Sequence, residues 1–343
     1  MTLMRDETLA CGSCTAVFLQ RGLVQALAAG RTLKQRGLRH VDVLGRGSSS
    51  HAGTVLRYAL AAQGGLTVSA VMPSVADNQG ALAAMQHAAL LAISQSGKSP
   101  DLVRYALAAR AAGATVVGLI NTEGSPLGLA AELGVPLCAG PELAVAATKS
   151  VVLSVVAGLG IVAGYGADAL LLEALHGLPG RLDAAAACDW SALGAALPLA
   201  RAVYVVGRGA DLGIAKELAL KVAEAVGVPA LAFSSAEFLH GPLGAVSTQT
   251  PVLGVVSDRR ALQSVLTALE RARGQGAPTL LAHGLTASPG VPPAQLQLPA
   301  ALGTLADTVL TLVPAYLAIE AAAVAAGRNP DQPKGLSKVT ETL

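Results

Sequence analysis

Residues 90–101 read LLAISQSGKSPD. An apolar run, Leu90 to Ile93, enters Ser94-Gln95-Ser96-Gly97, and Asp101, Leu102, Val103 and Leu107 then open a helical pattern. A continuous apolar run is how a parallel strand buried on both faces reads, and the following periodicity is that of a helix. The turn between them offers the hydroxyls of Ser94, Ser96 and Ser99, the amide of Gln95 and a glycine. A turn at the end of a strand and the start of a helix is a natural anion site. Free N–H groups and the positive end of the helix dipole point at the ligand. The stretch therefore predicts a phosphate-holding turn in an α/β fold.

Strand and helix patterns alternate on both sides of it. Strands are expected at 41–44, 66–71, 90–93, 114–120 and 135–138, with helices at 20–33, 51–62 and 101–112. This alternation indicates a parallel sheet covered on both faces. The pattern then restarts. VDVLGRGSS at 41–49 matches VYVVGRGAD at 203–211, an offset of 162 residues (203 − 41). AALLAISQSGKSPDLV pairs with TPVLGVVSDRRALQSV, and ATVVGLIN with APTLLAHG, in the same order. The expected architecture is thus α/β, with two tandem doubly wound, Rossmann-like domains in three α/β/α layers. Residues 1–34 form a helical lead-in, 35–167 the first domain, 168–190 a helical linker, 191–327 the second domain and 328–343 a tail. The copies differ: Ser257-Asp258-Arg259-Arg260 replaces the Ser-Gln-Ser turn. That inequality suggests that the first copy binds and the second supplies catalytic groups.

Bulk properties agree. Of 343 residues, 52% are hydrophobic and 13% charged, which favours a well-buried core. Aromatics at 3% argue against stacking on nucleic acid, and a net charge of +2 without a basic run gives no reason to expect a polyanionic partner. Cys11 and Cys14 form a C-x-x-C without the strand or second pair that redox or zinc chemistry needs, so they read as ordinary thiols of a reducing cytoplasm. No secretory signal is evident in the first residues. Ser150 to Ala167 carries no charge. It reads as a helix buried between two domains or two subunits, not as a membrane span.

Several groups could carry chemistry. Gly45-x-Gly47 follows a strand, but Ser50 stands where a dinucleotide fingerprint needs glycine, and no acidic residue waits twenty positions on. The serines at 48–50 read better as hydroxyl donors lining the same crevice as Ser94 to Ser99. Lys221 and Glu224 share one face of an otherwise apolar helix, while Lys216 and Glu217 mark a part that faces water. An exposed ion pair is the bland alternative for Lys221 and Glu224. His240 precedes Gly241-Pro242 and is held at a helix end, where it can reach outward as a proton carrier. In the tail, Leu336 and Val339 flank Lys338, and an ordered lysine there could form a Schiff base or polarise a carbonyl.

GRGSSSHAG, ISQSGKSPDLV, GPELAVAATKS, ALKVAEAVG, AEFLHGPLGAV and DQPKGLSKVTETL occur in one order along the chain. In this the sequence resembles the isomerase half of glucosamine-6-phosphate synthase (glutamine–fructose-6-phosphate aminotransferase), which is two sugar isomerase (SIS) domains in tandem. It resembles more closely the single-chain type II glucosamine-6-phosphate deaminases. The resemblance implies that Ser49, Ser94, Gln95, Ser96 and Ser99 hold the sugar phosphate and nearby hydroxyls. Val145 and Ala147 would line the sugar site. Glu224 would move a proton between C1 and C2, with Lys221 supporting it. His240, from the neighbouring subunit of a homodimer, would open the ring. Lys338 would engage the open-chain carbonyl or imine carbon, with Ser337 beside it. Lys98 stands where the synthase has an acidic residue, and Ala147 where it has serine.

No glutaminase domain is seen ahead of the first SIS copy, and no N-terminal cysteine nucleophile stands directly after Met1, where Thr2 is found. The resemblance thus favours deamination or isomerisation over synthesis. The expected activity converts glucosamine 6-phosphate to fructose 6-phosphate and ammonia, without metal or organic cofactor, nucleic acid or membrane. The alternatives are an aldose–ketose isomerase or deglycase that releases no ammonia, and a non-catalytic SIS regulator.

Overall fold

The computed structural model of the protein describes residues 1–75, 82 and 85–338. Val339, expected to flank Lys338, lies outside the described residues. Three helices open the chain: α1 (Leu3–Leu9), α2 (Cys11–Arg21) and α3 (Leu23–Gln35). The first sheet follows, with β1 (His40–Leu44), β2 (Thr67–Ala70), β3 (Ala88–Ser94), β4 (Thr115–Ile120) and β5 (Leu133–Pro136). Its helices are α4 (Gly47–Gly64), α5 (Pro100–Ala111), α6 (Pro126–Ala130), α7 (Lys149–Gly166) and α8 (Ala169–His176). The chain continues through α9 (Leu178–Ala186) and α10 (Ser191–Ala196) into the second sheet, β6 (Val203–Gly207), β7 (Ala230–Ser234), β8 (Val252–Val256), β9 (Thr279–His283) and β10 (Leu296–Gln297). Its helices are α11 (Asp211–Lys221), α12 (Ser235–Leu239), α13 (Arg259–Gly274) and α14 (Leu312–Ala325).

Among the described residues both sheets have five parallel strands. The orders are β2-β1-β3-β4-β5 and β10-β9-β8-β6-β7, which is one topology used twice. The repeat read from the sequence is therefore structural: β1, β3 and β4 correspond to β6, β8 and β9. In each copy the strand order reverses beside the first strand, and the crevice outside the carboxyl ends at that switch point is where such sheets bind ligands.

Contacts divide the chain into two compact units that do not follow a single cut. One holds Ser13–Glu142, Lys149–His176, Ser337 and Lys338; the other holds Met1–Gly12, Leu143–Thr148 and Gly177–Leu336. In the first, β3 is buried at every residue, which explains its uninterrupted apolar run. The apolar helix α7 packs against α3 and α4 inside this unit, not between domains or subunits as expected. Its glycines allow that approach: a Cβ on Gly158 would strike the Leu56 side chain, and one on Gly164 the Leu27 carbonyl. Among the described residues two stretches, Lys149–Gly166 and Leu305–Ala325, are long and apolar enough to cross a membrane, yet 83% and 78% of their most apolar 18-residue windows are buried inside the protein. In the second unit, α13 shows the amphipathic pattern. Leu262, Val265, Leu269 and Ala272 are buried against the sheet, and Asp258 caps its start through the Arg260 N–H at 2.9 Å.

Some expectations need correction. The helix after β1 begins at Gly47, not His51, because Gly47 takes φ +50 and lets the helix start at once; Ser48, Ser49 and Ser50 thus lie in its first turn. The sequence pattern does not mark strands β7 and β10. A 3-10 segment, Leu305–Thr311, leads directly into α14. Cys11 and Cys14 form no disulfide, and burial raises the Cys14 pKa, the opposite of what an activated thiol requires.

Candidate functional site

The first unit carries the serine turn. Ser94 ends β3, and its Oγ accepts the Gly97 N–H at 2.9 Å; Ser96 Oγ accepts the Lys98 N–H at 3.3 Å. Gly97 takes φ +63, and a Cβ there would collide with Ser125 Oγ. These two N–H groups are therefore spent inside the turn, contrary to the simple picture of free amides aimed at a ligand. The hydroxyl hydrogens of Ser94 and Ser96 remain available to donate. Ser99 is the N-cap of α5 but makes no side-chain cap bond. The Gln95 carbonyl accepts from the Thr122 N–H and hydroxyl, both at 3.2 Å, which ties the turn to the loop after β4. Ser49 lies in the first turn of α4, after β1, the strand beside β3. Arg46, just before α4, donates to Asp101 in α5 at 3.0 and 2.8 Å. That ion pair links the two serine-bearing turns across the switch point. Lys98 is exposed.

The same unit holds the tail lysine. Lys338 Nζ lies 3.2 Å from Glu142 Oε2, whose side chain is fully buried. Glu142 also accepts the Ser150 N–H at 3.0 Å and the Ser150 hydroxyl at 2.6 Å. It sits before the N-terminus of α7, where the dipole favours an anion. Ser337 beside it is exposed.

The second copy answers the serine turn differently. By the offset of 162, Asp211 corresponds to Ser49 and Ser257 to Gln95. The Asp211 carboxylate accepts the Ser257 N–H at 2.8 Å and its hydroxyl at 2.7 Å. The chain's own carboxyl group thus fills the switch point of this copy. Burial pushes the Asp211 pKa up to about 7 against the opposing pull of those bonds.

Beyond it lies an ionic cluster. Lys221 is fully buried, with Nζ 2.5 Å from Glu224 and 3.4 Å from Glu217. The Tyr316 hydroxyl donates to Glu217 at 3.1 Å. Burial disfavours the ammonium, but the charges and hydrogen bonds of Glu217 and Glu224 outweigh it and hold the Lys221 pKa above its ordinary value. Glu217 is itself buried at 1% exposure, so this residue, read as solvent-facing, belongs to the buried cluster, while Lys216 remains partly exposed. After Lys221 the α-helix widens into a π turn, Val222–Val226, ended by Gly227 at φ +69. Such widened turns recur at functional sites, and this one carries Glu224, whose side chain keeps 20% exposure. His240 caps the end of α12 and is exposed. Val145 and Ala147 are half-buried in a segment where Ala144, Ala146 and Thr148 are buried.

The structure brings together Lys221 with Glu224, Ser94 with Ser96 in one turn, and Lys338 with a partner, Glu142, that sequence reasoning missed. Glu217 and Tyr316 were also missed. Glu217 had a signal, four residues before Lys221 and so on its face; Tyr316 had none.

A family model described as SIS domain matches residues 36–162 and 197–325. Among curated proteins, glutamine–fructose-6-phosphate aminotransferase (isomerizing) of Symbiobacterium thermophilum is 28% identical over 92% of this chain and 54% of its own length. The same-named protein of Pyrococcus horikoshii is 30% identical over 87% and 51%. The chain thus spans about half the length of these relatives. Among solved structures, a protein of Silicibacter pomeroyi provisionally named a phosphosugar isomerase superposes with TM-score 0.89 at 35% identity, covering 96% of this chain and 100% of that one. Glucosamine-6-phosphate deaminase of Thermotoga maritima, at 17% identity, shares the fold with TM-score 0.74 over 94% and 100%.

Proposed function

The chain belongs to the SIS-domain family, and from that premise we propose that it is a phosphosugar isomerase acting as an aminosugar-phosphate deaminase. One observation carries the reading: a fully buried lysine holds Glu224 at 2.5 Å on a widened helical turn. Burying such a cluster is costly, and a module that only binds has no need of it. The pair fixes where the Glu224 carboxylate sits, and a positioned carboxylate can take a proton from one carbon and return it to the next.

In this reading Ser49, Ser94, Gln95, Ser96 and Ser99 hold the 6-phosphate and nearby hydroxyls, and Val145 and Ala147 line the sugar. His240, from a second copy of the chain in a homodimer, moves a proton to the ring oxygen and opens the ring. Lys338, held by Glu142 with Ser337 beside it, polarises the open-chain carbonyl. Glu224 removes the C2 proton and delivers it to C1, while Lys221 steadies its charge. Water hydrolyses the resulting C2 imine. Glucosamine 6-phosphate and water thus give fructose 6-phosphate and ammonia in equal amounts, in the cytoplasm.

The test is to incubate the protein with glucosamine 6-phosphate and follow ammonia and ketose phosphate together. Equal release supports the proposal; no ammonia from this substrate or from galactosamine 6-phosphate refutes it. A second reading, an aldose–ketose phosphosugar isomerase, draws on the name of the Silicibacter pomeroyi neighbour. The same assay separates it by interconversion without ammonia.

A further inference from the structure

We propose that Glu7 is a positioning residue for the sugar-lining segment, which makes the N-terminal helix part of the substrate-binding machinery. The inference rests on the reading of Val145 and Ala147 given above. Leu143–Thr148 has no regular structure, so its backbone N–H groups must find partners elsewhere. Three consecutive ones do. The Leu143 N–H donates to Glu7 Oε1, the Ala144 N–H to Glu7 Oε2 at 3.4 Å, and the Val145 N–H to the Asp331 carbonyl at 2.9 Å.

Glu7 lies in the last turn of α1 and is 7% exposed. A carboxylate at the C-terminal end of a helix faces the unfavourable pole of the dipole, so its burial there does not serve α1. Charge-assisted bonds to two backbone N–H groups account for it. The helix that carries Glu7 is anchored in turn. Asp331 accepts the Leu3 and Met4 N–H groups at 2.9 and 2.8 Å, and Thr2 both caps the Arg5 N–H at 3.2 Å and donates to Glu320 at 2.7 Å. Asp331 therefore holds α1 with its side chain and the segment with its backbone. Glu7 touches no substrate on this account; it acts through Val145 and Ala147.

The experiment compares wild type, Glu7→Ala and Glu7→Gln in the full chain. Amide hydrogen exchange is read at residues 143–145, affinity for fructose 6-phosphate by calorimetry, and kcat and KM with glucosamine 6-phosphate. In Glu7→Ala, exchange at these amides and KM both rise by about tenfold or more while kcat changes by less than about threefold. Glu7→Gln, which keeps one acceptor, lies between; it also serves where the alanine variant does not fold. Unchanged exchange in both variants overturns the tether. Faster exchange with unchanged affinity and KM overturns its part in the sugar site. A wild type that binds neither sugar phosphate overturns the reading on which the inference rests, whatever the exchange rates show.

Discussion

Lys221 is the residue on which the chemistry proposed for the second copy turns. It is fully buried and faces two carboxylates, one of them further held by Tyr316. Removing one partner of such a cluster leaves uncompensated buried charge, which is far more damaging than losing an exposed pair. Lys221→Met is expected to lose about 3 kcal/mol or more in denaturant unfolding, together with turnover; a variant as stable as wild type would show that the cluster is not ionic. The Lys221–Glu224 pair is legible in the sequence because both stand on a helix with few other polar groups. Glu217 has the right spacing but sits beside Lys216, and the two together read as a wet face. Tyr316 is 99 positions away, and only the fold brings it to Glu217. A contact of that separation leaves no local pattern.

The two strand-to-helix turns at the switch points show how one element serves two ends. In the first copy hydroxyls line the turn; in the second, Asp211 fills it. The folded-state pKa of Asp211 is raised to about 7 from 3.8. Its protonated form therefore favours folding at acid pH, and that contribution is lost as pH rises from about 4 through 7, at about 1.4 kcal/mol per unit. Relative to wild type, Asp211→Asn should gain stability between pH 5 and 7.5 in urea unfolding; a constant difference would mean that Asp211 is ionised throughout. In the first copy, Gly97→Ala forces a Cβ into Ser125 at a positive φ. It should weaken fructose 6-phosphate binding by about tenfold or more, read by calorimetry; wild-type affinity would remove this turn from the site. The sequence reveals the first turn because a buried strand, hydroxyls and a helix start coincide within twelve residues. It hides β7 and β10, since a half-buried edge strand and a two-residue strand carry too little periodicity to stand out. It also hides the start of α4, which depends on the φ of Gly47.

At the scale of the molecule, duplication is legible because strand-and-turn sequences recur at a fixed offset. The composition of the compact units is not, because residues 1–12 and 143–148 join the unit of the second sheet through contacts far apart in sequence. Met4 is fully buried in that unit, where α1 packs on α14. Met4→Ala should cost about 2–5 kcal/mol and speed hydrogen exchange in α14; protection unchanged there would detach α1 from the unit. The proposed sharing of His240 predicts complementation. Inactive Glu224→Gln and His240→Gln chains, mixed and reassembled, should recover about one quarter of wild-type activity through hybrid dimers, whereas no recovery would place His240 in its own chain's site. The central claim is a division of labour, with the first copy binding phosphate and the second moving the proton. Its most direct test is Glu224→Gln in D2O, with carbon-bound deuterium in the sugar phosphate and fructose 6-phosphate affinity measured on the same preparation. The account predicts that deuterium incorporation falls by about 100-fold or more while affinity stays within about threefold of wild type. Incorporation at a near wild-type rate would contradict it.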